Sequence, residues 1–321
     1  MNGRWWRLAN HVFTAVFVVA LTVGLVLFVR SQDWAPVATL ASQLDPLRVT
    51  AALIAALLIN AAGLLLGMAS WRALFIDLGA PVDRWTAYRL FFVGFLAKFV
   101  PGRFVALPVL LRMGKEIEVG PVRLAGVFLL SWAVVAMTGM TVALAAGPAL
   151  LSGAAGWLLV ATVPLVVLVA RPDLLNRGLA AAARLFRRPP PQVAASPGGV
   201  RRAVTAQSLS WLVSGHHLWL LAVVAGAPPA RSYLICVAGF AAATVAGLSV
   251  MIAPDGLGVR EAVLMIGLAT VLPVAVATPV VLVSRLVCAL SEVAVGGGGL
   301  LLAQYMHRRR RDPVQQVAPV G

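Results

Sequence analysis

The sequence predicts an all-α fold whose helices cross a membrane several times. Of its 321 residues, 61% are hydrophobic and 12% are charged, whereas soluble domains contain roughly 45–50% apolar and about 25% charged residues. The apolar residues form eight segments separated by short basic stretches, and no polar block is long enough to build a second core. We therefore expect one transmembrane domain over residues 1–307 and a short tail over 308–321.

Six of the eight segments predict single membrane-spanning helices, because a span needs about 20 mostly apolar residues. In chain order they are residues 11–29, 49–70, 124–147, 153–170, 204–225 and 280–304. The first resembles a signal peptide, since Arg4 and Arg7 precede it. Its apolar stretch of about 18 residues is longer than an h-region of roughly 7–15 residues, so we expect a retained helix.

The other two segments, 88–112 and 233–272, are interrupted by proline, glycine and charged residues. Both flanks of 88–112 are basic, and about 25 residues at 1.5 Å each are too short for two full crossings. We therefore predict that 88–112 forms a re-entrant hairpin or a broken helix. The segment 233–272 predicts either a longer re-entrant excursion from the opposite face or two full helices.

The distribution of basic residues predicts the orientation. If the N-terminus is cytoplasmic, 19 basic residues fall on that side and only Arg30, Arg48 and Arg231 fall outside, as the positive-inside rule requires. We expect a multi-pass protein of the plasma or inner membrane with both termini cytoplasmic. The loop 171–203 then becomes a flexible or partly extended linker between two halves, 1–170 and 204–307. The net charge of +15 is divided among such loops, which argues against nucleic-acid binding.

The two interrupted segments share a pattern of glycine, six residues, and proline with a glycine close by. The residues concerned are Gly94 and Pro101-Gly102 in the first segment, and Gly247 and Pro254-Asp255-Gly256 in the second. Non-helical backbone at membrane depth is tolerated only where protein or trapped water satisfies it. Because the charge rule places the two patterns on opposite faces, they predict an inverted repeat with a substrate site near the bilayer midplane.

Seven charged residues lie in or beside these interruptions and in the last predicted span: Lys98, Arg103, Asp255, Arg260, Glu261, Arg285 and Glu292. A charge at the centre of a membrane helix costs about 2.5–3.5 kcal/mol, so these side chains must pair, lie near a surface or line a water-filled cavity. Arg285 and Glu292 are seven residues apart and share one helix face. We expect Glu261 to contact a basic residue of the first interrupted segment or of the last helix.

Other polar and thiol side chains predict structural roles. Asn60 stands alone in the second span, as is typical of a hydrogen bond between helices. His216 and His217 are adjacent, so their side chains diverge on a helix, which favours packing over metal binding. Cys236 and Cys288 lie in apolar segments and are expected to be buried thiols. Because the sequence contains no Walker A or H-E-x-x-H motif, we expect no metal and no cofactor.

Two short stretches carry a recognisable pattern: Lys98 to Arg103 reads KFVPGR, and Pro254 to Ala262 reads PDGLGVREA. They are similar to the K-x-x-P-G-[RK] and P-x-G-x-G-x-R-E-A motifs of the lysylphosphatidylglycerol synthase transmembrane-region family, which includes the flippase half of the bacterial multiple peptide resistance factor. Arg285 falls where the family usually has an arginine in its last helix. The chain departs from the family at Val105-Ala106, where many members have Gly-Glu, and at Asp255, which replaces the first glycine of a P-x-G-G form.

The resemblance implies a lipid translocase whose halves enclose a site for a phosphate-bearing headgroup. We assign headgroup binding to Lys98, Arg103, Arg260 and Arg285, with Asp255, Glu261 and Glu292 as supporting acids and Pro101, Gly102, Pro254, Gly256 and Gly258 as helix-breaking residues. The expected partners are membrane lipids with anionic or phosphate-bearing headgroups. We expect no nucleic-acid partner.

Two alternatives stay open. One is an intramembrane glycosyltransferase that uses Asp33 or Asp45 in the first external loop, and the other is a non-catalytic membrane subunit of an envelope-lipid or glycan pathway. In the full synthase a soluble aminoacyl-transfer domain follows the membrane part, whereas only about 17 residues follow the last predicted helix here. We therefore expect no synthase activity and favour a protein that is not an enzyme.

Overall fold

The computed structural model describes residues 33–79, 82–96, 113–115, 119–145, 170–185, 194–249 and 256–315, together with isolated positions elsewhere. The regular structure within these ranges is helical throughout. In chain order the helices are α1 (Ala35–Ser42), α2 (Pro46–Asp77), α3 (Arg84–Leu96), α4 (Pro121–Leu144), α5 (Pro172–Leu185), α6 (Pro197–Val224), α7 (Pro229–Ser249), α8 (Val259–Leu268) and α9 (Val274–Gln315). The all-α prediction is confirmed for this part of the chain.

Four of the described helices are long and apolar enough to cross a membrane. These candidate spans are Pro46–Asp77, Arg123–Leu144, Pro229–Leu248 and Val274–Leu301. They support the prediction of a helical, multi-pass membrane protein. The predicted spans 11–29 and 153–170 lie almost entirely outside the described residues, so the count of six full spans stays a prediction.

The predicted flexible linker 171–203 is wrong over much of its length, because it contains α5 and the start of α6. Asn176 of α5 fixes the backbone of Ala195, since its Nδ2 donates to the Ala195 carbonyl at 3.0 Å and its Oδ1 accepts from the Ala195 amide at 2.8 Å. Pro172 and Pro197 are the first residues of α5 and α6, where the missing N–H of proline is tolerated. The prolines of this loop therefore start two helices as well as interrupting the chain.

The interrupted segment 233–272 does not form two full helices, so that alternative is wrong, whereas the re-entrant excursion stays a prediction. The segment consists of α7, which is long enough to span, and α8, which has ten residues and is therefore only about 15 Å long. The last helix also differs from the prediction, since it begins at Val274 and continues to Gln315, beyond the predicted start of the tail. In the first interrupted segment, α3 ends at Leu96 and residues 97–112 lie outside the described residues.

Helices α2 and α6 form an antiparallel pair through small side chains. A Cβ added at Gly63 would collide with Ser214, and the Ser210 hydroxyl donates to the Gly63 carbonyl at 2.7 Å. Farther along the same seam, the Ser70 hydroxyl donates to the Ala203 carbonyl at 2.8 Å. Close backbone approach and interhelical hydrogen bonds are the interactions that join helices in lipid, so this pair forms the centre of the bundle.

Asp77, the last residue of α2, fixes one end of this pair. Its carboxylate accepts hydrogen bonds from the Ser196 amide at 2.6 Å and the Ser196 hydroxyl at 2.5 Å. The Ser196 hydroxyl in turn accepts from the Gly199 amide at 3.0 Å and so caps the first turn of α6. The register between α2 and α6 is therefore set both by the small-residue seam and by this polar contact.

Glycines also set two outer contacts of the bundle. Helix α9 approaches α3 at Gly296, where a Cβ would lie 2.9 Å from the side chains of Phe92 and Leu96. Helix α4 approaches α7 at Gly139, where a Cβ would lie 2.6 Å from the side chain of Val245. In addition, α8 packs against α7 and α9, and α9 packs against α2, α3 and α6.

Candidate functional site

The turn between α7 and α8 is built from glycines. Gly256 and Gly258 have φ angles of 66° and 86°, a region that L side chains rarely adopt. A Cβ on Gly256 would also collide with the backbone of Gly247, near the end of α7. The predicted helix-breaking role of Gly256 and Gly258 therefore has a structural basis, whereas Pro254 and Asp255 lie outside the described residues.

Glu261 joins this turn to the last helix. It is the third residue of α8, and its Oε2 accepts a hydrogen bond of 2.7 Å from the amide of Gly258. Its Oε1 forms an ion pair with Nη1 of Arg285 on α9. This agrees with the expectation that Glu261 contacts a basic residue of the last helix, and it means that one carboxylate both caps α8 and holds an arginine.

Arg260 points to a different neighbour because consecutive residues on a helix diverge by about 100°. A Cβ added at Gly247 would lie 2.8 Å from Cγ of Arg260, so the aliphatic part of this side chain crosses α7 at that glycine. The guanidinium carbon lies 5.8 Å from the centroid of the Phe240 ring, within cation–π range. Arg260 is only 7% exposed, so its charge is buried beside α7.

One face of α9 carries a stripe of polar side chains, which we call the α9 polar stripe. Its members are Ser284, Arg285, Cys288, Ser291 and Glu292, all of which are buried. On a helix of 3.6 residues per turn they cover an arc of about 120°. Arg285 follows Val274, the first residue of α9, by eleven positions, or about 16 Å along the axis, and lies within the candidate span Val274–Leu301.

The α9 polar stripe contacts α2 and α6 through hydrogen bonds. Asn60 of α2 donates through Nδ2 to the Ser291 hydroxyl at 2.5 Å. On α6, Nε2 of the buried His217 lies 2.8 Å from the Ser284 hydroxyl and 3.6 Å from the Cys288 sulfur. Asn60 therefore makes the interhelical contact that its position predicted, and four helices meet at the stripe.

The structure brings together only some of the predicted site residues. Glu261 of α8 pairs with Arg285 of α9, Arg260 precedes Glu261 and lies against α7, and Glu292 follows Arg285 on the same face by two turns, or about 10 Å. Lys98, Pro101, Gly102, Arg103, Pro254 and Asp255 lie outside the described residues. Their predicted roles stay predictions.

Sequence reasoning missed the neutral members of this network. The sequence predicts packing for His217 and a buried thiol for Cys288, and the second prediction is confirmed, but the sequence singles out neither Ser284 nor Ser291. The spacing of three and four residues among the α9 members, in register with Arg285 and Glu292, would have identified a polar helix face in an otherwise apolar segment. Within the described part of the chain, no group of three or more His, Cys, Asp or Glu side chains is arranged to hold a metal ion.

Comparison with known families bears on the same region. The family described as "Lysylphosphatidylglycerol synthase TM region" matches residues 12–296. The chain belongs to this family. The match to the lysylphosphatidylglycerol synthase transmembrane region includes both interrupted segments and the whole α9 polar stripe. It makes the chain a membrane protein of lipid-related function. A comparison with curated proteins found no match.

Proposed function

We propose that this protein is a lipid translocase that binds the phosphate of a lipid headgroup at Arg260 and Arg285. The observation that carries the proposal is the burial of two arginines next to a glycine turn, with a carboxylate holding one of them. Charged side chains within membrane domains are costly and are characteristic of transport pathways. The family's lipid-related function points to the same class of substrate.

The guanidinium groups suit this substrate because their planar donors match phosphate oxygens in bidentate geometry. In the empty site Glu261 neutralises Arg285. A headgroup phosphate would compete with the Glu261 carboxylate for Arg285 and take further donors from Arg260, while the acyl tails stay in lipid. Glu261 would keep its hydrogen bond from Gly258, so α8 remains capped during the exchange.

We further propose that the two halves form an inverted repeat around this site, and helix boundaries support it. The first residues of α4 and α9, Pro121 and Val274, are 153 positions apart. The same separation relates Pro101 to Pro254 in the sequence. The helix that follows each interrupted segment therefore begins at equivalent places in the two halves.

Packing also supports the repeat. Phe92 of α3 contacts α9 at Gly296, and its equivalent at the same separation, Val245 of α7, contacts α4 at Gly139. The separation between Gly139 and Gly296 differs from 153 positions by four residues, or about one helical turn. The antiparallel α2–α6 pair would then contain the symmetry axis, as expected of halves inserted with opposite topology.

Reconstitution tests the proposed activity. Purified protein in liposomes should move labelled phospholipid, or labelled polyprenyl phosphate, between the leaflets, and Arg285→Gln or Arg260→Gln should lower the rate at least tenfold. Arg48→Gln serves as the control, because that side chain is 83% exposed. Wild-type protein that moves neither lipid, or arginine variants that keep the full rate, would contradict the proposal.

The alternatives make different predictions. A non-catalytic membrane subunit would use the buried charges for stability alone, so Arg285→Gln would lower abundance without a separate transport defect. The glycosyltransferase alternative has less support, because its two candidate carboxylates are engaged at helix starts. Asp33 accepts from the Ala35 amide at 3.0 Å, and Asp45 accepts from the Leu47 amide at 3.1 Å.

A further inference from the structure

His217 is the one titratable ring among the described residues that is fully buried, with 0% exposure, and both of its nitrogens have partners. Nδ1 contacts the carbonyl oxygen of Ser214, one turn earlier in α6. Nε2 lies 2.8 Å from the hydroxyl of Ser284. A side chain used only for packing would not need two polar partners, and a buried polar ring with both satisfied has a defined protonation state.

The partners fix the tautomer of the neutral ring. A carbonyl oxygen only accepts hydrogen bonds, so Nδ1 carries the proton. Nε2 is then the free base, and it accepts from the Ser284 hydroxyl or, more weakly, from the Cys288 thiol. A proton that reached Nε2 would find Ser284 already in place as an acceptor, because a hydroxyl both donates and accepts. Protonation therefore requires rotation of one hydroxyl and no change in packing.

His217 is close to the two arginines of the proposed site. Its ring meets Phe240 edge-on with 4.9 Å between centroids, and Arg260 lies over the same Phe240 ring. Ser284, the partner of Nε2, directly precedes Arg285. Phe240 therefore contacts both His217 and Arg260, and Ser284 joins His217 to the chain next to Arg285.

Other ionisable groups could affect this charge. In the described membrane-embedded parts of the helices around His217 they are Cys236 on α7, Arg260 and Glu261 on α8, and Arg285, Cys288 and Glu292 on α9. Asn60 on α2 is neutral. On α6 itself, His216 faces away, toward Tyr233, with 3.1 Å between Nε2 and the phenol oxygen. Among these groups, Arg260 is the positive charge that contacts the same Phe240 ring as His217, and a bound anion would neutralise it.

We propose that His217 binds a proton when a phosphate-bearing headgroup occupies the arginine site, so that proton uptake and lipid binding are coupled. The coupling rests on the proposed translocase function. With the site empty, the Arg260 guanidinium opposes a second positive charge on the imidazole. A bound phosphate offsets that guanidinium, so the proton and the headgroup each favour binding of the other to the same extent. The proton comes from water, and no bond other than N–H forms.

Calorimetry of binding tests the coupling. Detergent-purified full-length protein is titrated with a short-chain phosphatidylglycerol in buffers of different ionisation enthalpy, which reports the protons taken up. We expect uptake of up to one proton per lipid, and an affinity that falls by up to about tenfold per pH unit over the pH range in which the occupied site holds that proton and the empty site does not. His217→Gln should abolish both effects, and His216→Gln, at its half-buried neighbour, should change neither.

The outcomes separate this inference from the proposed function. If wild-type protein binds the lipid without proton uptake, or if His217→Gln keeps the uptake, the coupling is wrong while translocation can still be correct. If binding takes up a proton through His217 but liposomes show no lipid movement, the translocase proposal is wrong and the coupled site stands. Absence of binding to wild-type protein, both of the phosphatidylglycerol and of a polyprenyl phosphate titrated in the same way, would refute both. If His217→Gln does not fold, isotope-labelled wild-type protein replaces it, and a His217 signal unaffected by the lipid would overturn the coupling.

Discussion

Replacing Glu261 with glutamine removes one charge and few atoms, so it isolates the ion pair at the start of α8. Removing one partner of a buried pair costs about 3–5 kcal/mol, whereas an exposed pair contributes about 0–1 kcal/mol. The side chains of Arg285 and Glu261 are 8% and 21% exposed, which places this pair nearer the buried case. Because glutamine still accepts from the Gly258 amide, we expect a loss of about 2–3 kcal/mol in the free energy of unfolding.

The measurement is reversible unfolding of the purified protein in mixed micelles by increasing dodecyl sulfate. Asp45→Asn is the matched control, because Asp45 also accepts from an amide at a helix start and pairs with Arg48 at 3.6 Å. Its side chain is 51% exposed, so the loss should stay at about 1 kcal/mol or below. Equal losses for the two variants would refute the argument that burial of the Glu261–Arg285 pair determines its strength.

Adding Arg285→Gln to Glu261→Gln sharpens this prediction. The double variant has no uncompensated charge at this position, so its loss should be smaller than the sum of the two single losses by about 1–3 kcal/mol. Glu261→Gln should also impair lipid movement at normal expression, since Arg285 would then hold a phosphate without a competing carboxylate. Additive losses would show that the two side chains do not interact in the folded protein.

Three further predictions concern backbone and topology. Gly256→Ala should destabilise the protein by about 1–3 kcal/mol more than Gly258→Ala. Both glycines have positive φ, but only Gly256 lies against another backbone segment. Equal shifts in the thermal unfolding temperature would contradict this. On α9, Gly298→Ala should stabilise the protein by up to about 1 kcal/mol, whereas Gly299→Ala should destabilise it, because a Cβ at Gly299 would collide with Tyr88. Thermal unfolding of the two variants should therefore shift in opposite directions. A reporter fused after Gly321 should be active in the cytoplasm, and activity only on the outer face would overturn the predicted orientation.

The charged part of the site could be predicted because charges are conspicuous in an apolar segment. Glu261 and Arg285 stand out in the sequence, and the cost of an unpaired charge in lipid limits their options. The partner of His217 could not be found in this way. It depends on the register between α6 and α9, and serine is too common in membrane helices to indicate it. The adjacency of His216 and His217 even suggested packing, although the structure gives the two rings different surroundings.

Helix boundaries near prolines were the weakest part of the sequence-based prediction. The linker 171–203 was expected to be flexible because it is rich in arginine and proline, yet Pro172 and Pro197 begin helices. Similarly, the length of 233–272 allowed two full helices or a re-entrant excursion. The observed combination of a full helix and a ten-residue helix depends on close contact between Gly247 and Gly256, which is a tertiary contact that local pattern does not reveal.

The proposed repeat is not chemically symmetric, and this constrains how a headgroup would bind. At a separation of 153 positions, the α4 residues equivalent to Arg285 and Glu292 are Trp132 and Gly139. Trp132 is 40% exposed, and Gly139 is the contact point with α7, so α4 brings no charge to its equivalent of the α9 polar stripe. The first half could then add charge near the site only through Lys98 and Arg103 of its own interruption. A phosphate at the proposed site would therefore be held mainly by α8 and α9, where Glu261 pairs with Arg285.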